Sequence, residues 1–352
     1  MPDYIQDLVL PRNINYYRFF VFIIIVFFTG CGKERSYKAG FYYWKTLFDL
    51  SETEQSQIGR SGSTRLYVRM MDIDWDTDRQ EAVPVSPVLF RKRFPDSLRM
   101  IPVIFIVNNT LQNLHNKSIR LLASKIIRFT EAKVKQAGVQ VFSEIQIDCD
   151  WTRTTKDNYF LLLRELDRQL PHKLISVTLR LHQYKNRSLG IPPADRVMLM
   201  CYNMGNLRKY GQHNSILNIP EMKRYLDAGQ VEYPLPIDIA LPIFRWTVVF
   251  RSKQYAGITR ISPGEFENKL LFKKVKNSLY EVQRDIAEYG IRKRDELRYE
   301  AVTFDELKSV AQLISKSVKL QDSLNIVYYH LDDNLLNNYQ NGQLEEIFHF
   351  FN

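Results

Sequence analysis

From residue 41 onward, short apolar runs alternate with longer amphipathic stretches, the pattern of repeated β-α units. Eight runs read as strands: 41–48, 65–74, 101–108, 139–150, 174–181, 196–203, 237–244 and 325–331. The clearest helical pattern covers 116–137, where Ile119, Leu122, Ala123, Ile126, Ile127 and Ala132 recur at helical spacing and Gly138 follows as a stop. A second covers 156–170, with Phe160, Leu163, Leu166 and Leu170 on one face and Pro171 ending it. Eight strands joined by helical crossovers predict an α/β fold, a single (β/α)8 TIM barrel over residues 31–352, rather than an open doubly wound sheet. No glycine-rich phosphate loop follows the first strand, which argues further against a dinucleotide fold and leaves no cofactor to expect. Residues 252–320 are highly charged, mainly helical in pattern and longer than one crossover, with Ser262-Pro263-Gly264-Glu265 as a turn entering a helix. They read as a helical insertion before the last strand, either a lid or an elaborated outer helix.

The N-terminus has a different texture. Residues 19–28 (FFVFIIIVFF) form an uncharged apolar run, with Arg12 and Arg18 ahead of it. A helix crossing a bilayer needs about 20 such residues, so the run has the length of a signal core and not of a membrane span. It ends in Phe28-Thr29-Gly30-Cys31, which resembles the lipobox of bacterial lipoproteins, although Phe28 stands where leucine is usual and the segment before the run is long. The resemblance implies a signal peptide over residues 1–30, lipidation of Cys31, and a barrel anchored to a membrane of the cell envelope, outside the cytoplasm. The competing readings are an uncleaved anchor or a simple signal with an incidental cysteine.

Composition narrows the classes. Hydrophobic residues make up 45% and charged residues 25%, enough for a sizeable core and unlike a disordered chain. The 20 Tyr and 21 Phe suit a carbohydrate-facing surface and an ordinary core equally. The net charge of +10 raises nucleic acid or anionic lipid as a partner, but the basic residues are spread out, and Arg91-Lys92-Arg93 and Arg292-Lys293-Arg294 are short runs. A solvated basic surface explains them better, so no nucleic-acid partner is expected. Past Cys31 only Cys149 and Cys201 remain. They fall on strands separated by a third, roughly 9–10 Å apart at about 4.8 Å per strand, beyond disulfide reach. Two buried free thiols are expected.

Catalytic groups of a barrel come from the C-terminal ends of its strands, at positions whose parity points into the lumen. The fourth strand ends in Gln146-Ile147-Asp148-Cys149-Asp150-Trp151-Thr152, with Gln146, Asp148 and Asp150 on one parity. Two acids about 6.6 Å apart along one strand face would tune each other's pKa, and burying both without purpose would be costly. The plainer reading is a solvated strand end. The fifth strand places Ser176, Thr178, Arg180 and His182 on one parity, and Arg180 suits a carboxylate or a hydroxylated ligand. The sixth ends in Met200, Tyr202 and Asn203, the second in Asp72 and Asp74, and the seventh leads to Trp246, a ring suited to a sugar face or to the core. Nothing resembles a zinc motif or a serine-nucleophile elbow, so no metal is expected.

Together, IQIDCDWT on strand four and LMCYNMGN on strand six resemble the signatures of glycoside hydrolase family 18, the chitinase-like barrels: Asp-x-x-Asp-x-Asp-x-Glu and Met-x-Tyr-Asp. Asp148, Asp150, Met200 and Tyr202 match, whereas Ile145 replaces the first Asp, Asn203 the last, and Thr152 stands where the general-acid Glu belongs. The ordered set IQIDCDW, ISVTLRL, VMLMCYNMG and IALPIFRW is closer to the bacterial barrel family called domain of unknown function 3142, over roughly residues 41–250. These resemblances imply a glycosidase-related barrel in a lipoprotein, with a glycan as partner. General acid catalysis typically supplies about 10²–10⁴-fold, so without the Glu three alternatives stand. Asp148 or Asp150 has taken over, Asp74 contributes an acid from strand two, or the site only binds. Asp148, Asp150 and Tyr202 are thus the candidate catalytic residues, and Asp74, Arg180, Asn203 and Trp246 the candidate substrate contacts.

Overall fold

A computed structural model describes residues 35–226 and 232–351. The signal segment and Cys31 lie outside the described residues.

Eight parallel strands close into a barrel: Ser36–Tyr43, Arg65–Asp76, Arg99–Ile106, Glu144–Asp148, Leu174–Arg180, Arg196–Met200, Ile237–Pro242 and Ser323–Tyr329. They neighbour one another in chain order, and the first pairs with both the second and the last, which removes the sheet's edges. Because both faces of such a strand are covered, the fourth is buried at every position, Glu144 to Asp148. Helices cover the outside. Asn116–Gln136 buries Ile119, Leu122, Ala123, Ile126 and Ile127 against the barrel as its spacing predicts, whereas Ala132 is exposed and Val134 is buried in its place. Lys156–Gln169 buries Leu162, Leu163 and Leu166 in the same way. Among the described residues no helix is long and apolar enough to cross a membrane. Cys149 and Cys201 are both buried and unbridged.

Two additions depart from the plain barrel. The distal half of the second strand pairs antiparallel with Glu81–Val85 as a hairpin. The larger addition lies between strands seven and eight, and it corrects the helical expectation for residues 252–320. Up to residue 300 it is a five-stranded antiparallel sheet, in the order Gln254–Thr259, Trp246–Arg251, Glu296–Glu300, Leu279–Val282 and Phe272–Lys276. Val249, Ile261, Phe266, Phe272, Val282, Ile291 and Leu297 give the sheet its own small core. Only Phe304–Ser317 is a long helix, capped by Thr303 and Glu306 in a reciprocal box. The first hairpin explains the misreading. Arg251 pairs with Gln254 around Ser252 and Lys253, whose φ values are 50° and 63°. Such a turn usually announces itself by Asn-Gly or a related glycine pair, and this one carries neither.

Candidate functional site

At the C-terminal mouth of the barrel the strand ends divide into an acidic side and an aromatic side. The acidic side comes from strands two, four and five. Asp148 is the last residue of strand four and is only 7% exposed. Its carboxylate accepts a 2.6 Å hydrogen bond from the Thr178 hydroxyl on strand five, so it points inward as its parity predicts. Two residues above it the strand has ended, and Asp150 is exposed, 3.5 Å from Arg180. Arg180 also donates from Nη2 to the Asn203 carbonyl at 3.0 Å, linking the ends of strands five and six. On strand two Arg69 holds Asp72 through two hydrogen bonds of 2.6 and 2.5 Å.

Burial pushes the Asp148 carboxyl up to about 7, the Thr178 hydrogen bond opposes the rise, and the charges of Asp150 and Asp72 reinforce it. A carboxyl titrating there is present in both protonation states near neutral pH, as proton transfer requires. The strand-two acid that reaches it is Asp72. Asp74, the expected contributor, instead accepts the Trp75 backbone N–H at 2.8 Å within the hairpin extension. Thr152, at the position of the family 18 acid, is exposed and bonds locally to the hydroxyls of Thr154 and Thr155.

The aromatic side comes from strands one, six, seven and eight. Tyr329 stacks on Tyr202 at 5.3 Å and meets Trp44, Phe244 and Tyr42 edge-on or tilted at 5.4–5.7 Å. Phe244 in turn packs on Trp246 at 5.1 Å. Tyr202 and Phe244 are buried, while Trp44, Tyr329 and Trp246 keep part of their faces open. Below the rings, the Tyr42 hydroxyl donates to Gln146 Oε1 at 2.6 Å across the lumen, closing the floor of the cup. Tyr202 shares that floor, and its hydroxyl pKa is raised well above the usual value by burial first and then by nearby Tyr329 and Asp148.

The added sheet fixes the rim around Tyr202 and Trp246. Glu300, buried at the end of its strand, accepts from Ser215 N (2.7 Å), Ser215 Oγ (2.6 Å), Ile216 N (3.3 Å) and Trp246 Nε1 (3.0 Å) on one oxygen. Its other oxygen takes Arg298 Nε at 2.6 Å. Arg298 is fully buried and donates to the carbonyls of Leu207, Lys209 and Gly211. The loop after strand six is therefore sewn to the sheet. That loop turns back at Gly205, where any Cβ would lie 2.8 Å from the Ser215 backbone. Asn203 sits at its start with φ of 53°, and its side-chain oxygen is buried without a hydrogen-bond partner.

Of the residues singled out in the sequence, Asp148, Asp150, Arg180, Tyr202 and Asn203 come together at one mouth, and Trp246 stands on its rim. Thr178 and Asp72, already named at strand ends in the sequence, join Asp148 there. Sequence reading missed Trp44, Tyr329 and Glu300, which follow no motif. Among the described residues no group of His, Cys, Asp and Glu is arranged to hold a metal ion.

No protein-family profile matches the chain, and no curated protein matches it in sequence. Solved structures do. The spore cortex-lytic enzyme SleL of Bacillus megaterium is 14% identical over 90% of this chain and 75% of its own, with a TM-score of 0.52. Its counterpart from Bacillus cereus is 15% identical over 88% and 76%, at 0.49. A GH18 chitinase, ChiB of Flavobacterium johnsoniae, is 12% identical over 90% and 94%, at 0.45. The likeness to the B. megaterium enzyme bears on the fold, the same barrel architecture, and identity this low says nothing of the activity.

Proposed function

We propose that the mouth of this barrel binds a glycan. The observation that carries the proposal is the pairing, in one cup, of a buried and weakly compensated acid, Asp148, with partly open aromatic rings, Trp44, Tyr329 and Trp246. Sugars present apolar ring faces beside hydroxyl groups. Aromatic faces cover the first, and Asp150 and Arg180 meet the second. The family 18 resemblance of strands four and six supports the same class of ligand. No family profile supports the resemblance to domain of unknown function 3142, which would add no substrate.

Thr152 favours binding without turnover, because a hydroxyl at that position has no proton to give at neutral pH. A second reading is favoured by Asp148 itself. With its carboxyl near 7, it has a proton to donate to a glycosidic oxygen, and hydrolysis would then run through Asp148 with Asp150 and Tyr202 beside it. We place the chain at the cell envelope, held to a membrane through a lipid on Cys31. That placement rests on the leader pattern alone.

The test is a screen of the purified protein against soluble oligosaccharides, including oligomers of N-acetylglucosamine, read for both binding and new reducing ends. A bound oligosaccharide whose affinity falls about tenfold in Trp44→Ala and Tyr329→Ala supports the site. New reducing ends that vanish in Asp148→Asn convert the binder into an enzyme. Affinity indifferent to both ring substitutions overturns the proposal.

A further inference from the structure

Half of the chain's net positive charge is concentrated on one part of the added sheet, far along the chain from the acids of the mouth. Residues 269–294 hold eight basic and three acidic residues, a net of +5 against +10 for the whole sequence. Two basic runs separated in sequence flank the strand Leu279–Val282 there. The edge strand Phe272–Lys276 exposes Lys273, Lys274 and Lys276, and Lys269 is exposed just before it. Phe272 pairs with Val282, Gln283 N bonds to the Leu271 carbonyl at 2.8 Å, and Arg294 N bonds to the Val282 carbonyl at 2.8 Å. Those contacts leave the exposed Arg292, Lys293 and Arg294 one strand away from the start of the lysine strand, on the other side of Val282.

Lysines on an edge strand have an ordinary use, since they discourage pairing with another chain. That reason covers Lys273, Lys274 and Lys276. It does not cover Lys269 or the second run, neither of which lies on the strand. It also leaves Leu270 unexplained, which is 73% exposed between Lys269 and the strand, and Val275, 44% exposed between two lysines at a bulge. Exposed aliphatic groups set among cations that outnumber the local acids fit an interface that is negatively charged at its surface and apolar beneath. A single-stranded nucleic acid would call for rings to stack its bases, and the rings of this sheet are engaged inward: Tyr280 stacks on Phe266 at 4.2 Å, and the Tyr289 hydroxyl bonds to Glu265.

We infer that this face of the added sheet docks on an anionic phospholipid surface, with Leu270 and Val275 entering the headgroup boundary and the lysine and arginine runs meeting the lipid phosphates. The inference stands apart from the glycan reading and from the leader, because it rests on residues 269–294 alone.

The experiment is flotation of the full-length chain with vesicles of phosphatidylcholine alone or with phosphatidylglycerol at about one lipid in three. Any contribution of the leader is common to all variants and cancels in the comparison. The expected result is partitioning at least tenfold stronger on the anionic vesicles, falling steeply as salt rises, and reduced at least tenfold by Lys269→Glu, Lys273→Glu, Lys274→Glu and Lys276→Glu together. Leu270→Ser with Val275→Ser keeps every charge. It should weaken vesicle binding severalfold while leaving retention on immobilised heparin unchanged. Equal partitioning on the two vesicle types overturns the inference, and the salt series on the unmodified chain reads this without relying on a variant. Vesicle binding unaffected by the serine pair assigns the patch to a soluble polyanion and overturns the lipid assignment.

Discussion

The two ends of the barrel each bury a carboxylate, and they treat it in opposite ways. At the N-terminal end Asp238, 1% exposed, accepts from the Asn325 backbone N–H and from its side-chain Nδ2, both at 2.7 Å, and lies 3.0 Å from Arg196. Burial raises its pKa, and each of those partners pulls it back down. At the C-terminal end Asp148 is also buried, yet one hydroxyl is its whole hydrogen-bonded compensation, and the attraction of Arg180 is opposed by the repulsion of Asp150 and Asp72. The first arrangement ties three strand beginnings together and contributes to stability. The second keeps an acid uncomfortable at the open end, where barrel enzymes place their chemistry. Glu144, at the lower end, lies between the two: burial raises its pKa and Ser176 partly offsets it.

This difference gives substitutions of opposite sign. The largest effect is expected for Asp238→Ala, which strands Arg196 and the Asn325 donors in a closed interior and should cost about 3–5 kcal/mol in urea unfolding. Next comes Asp148→Asn, which should stabilise. A carboxyl raised in the folded state keeps a proton that the unfolded chain has released, so wild-type stability falls as pH climbs from the ordinary carboxylate range near 4 to about 7. Asn has no such penalty and can still accept from Thr178. The variant should therefore exceed wild type by on the order of 2–4 kcal/mol at pH 8 and match it below pH 4, as thermal melts across that range would reveal. Equal stability at pH 8 would remove the contrast between the two ends. The smallest effect on folding belongs to Asp150→Asn, whose exposed pairing with Arg180 at 3.5 Å is worth about 0.5 kcal/mol or less. The same change should weaken glycan capture, separating function from stability at one residue.

The barrel was legible because its strands are covered on both faces and its helices on one. Apolar runs near 145 and 177 and the 3.6-residue stripe of 116–137 carry that imprint directly. Strand parity was legible too, and it placed Gln146, Asp148 and Thr178 in the lumen. The added sheet was hidden because its first turn, Ser252-Lys253, adopts positive φ without glycine, and because its exposed strand positions carry charges that mimic a polar helix face. Glu300 and Arg298 were hidden for a related reason. Their roles come from contacts with the loop after strand six, about 85–90 residues away in the chain, which no local pattern encodes. Tyr329 and Trp44 belong to no motif and become rim residues only when the first and last strands meet.

Asp148 is where the fold and the proposed function coincide. Carboxyl ¹³C NMR of protein labelled at aspartate, with the Asp148 resonance assigned by its loss in Asp148→Asn, would follow its titration with and without a bound oligosaccharide. The account predicts a midpoint near 7 in the free protein that moves when the sugar fills the cup. A midpoint in the ordinary carboxylate range near 4, unmoved by saturating glycan, would contradict it.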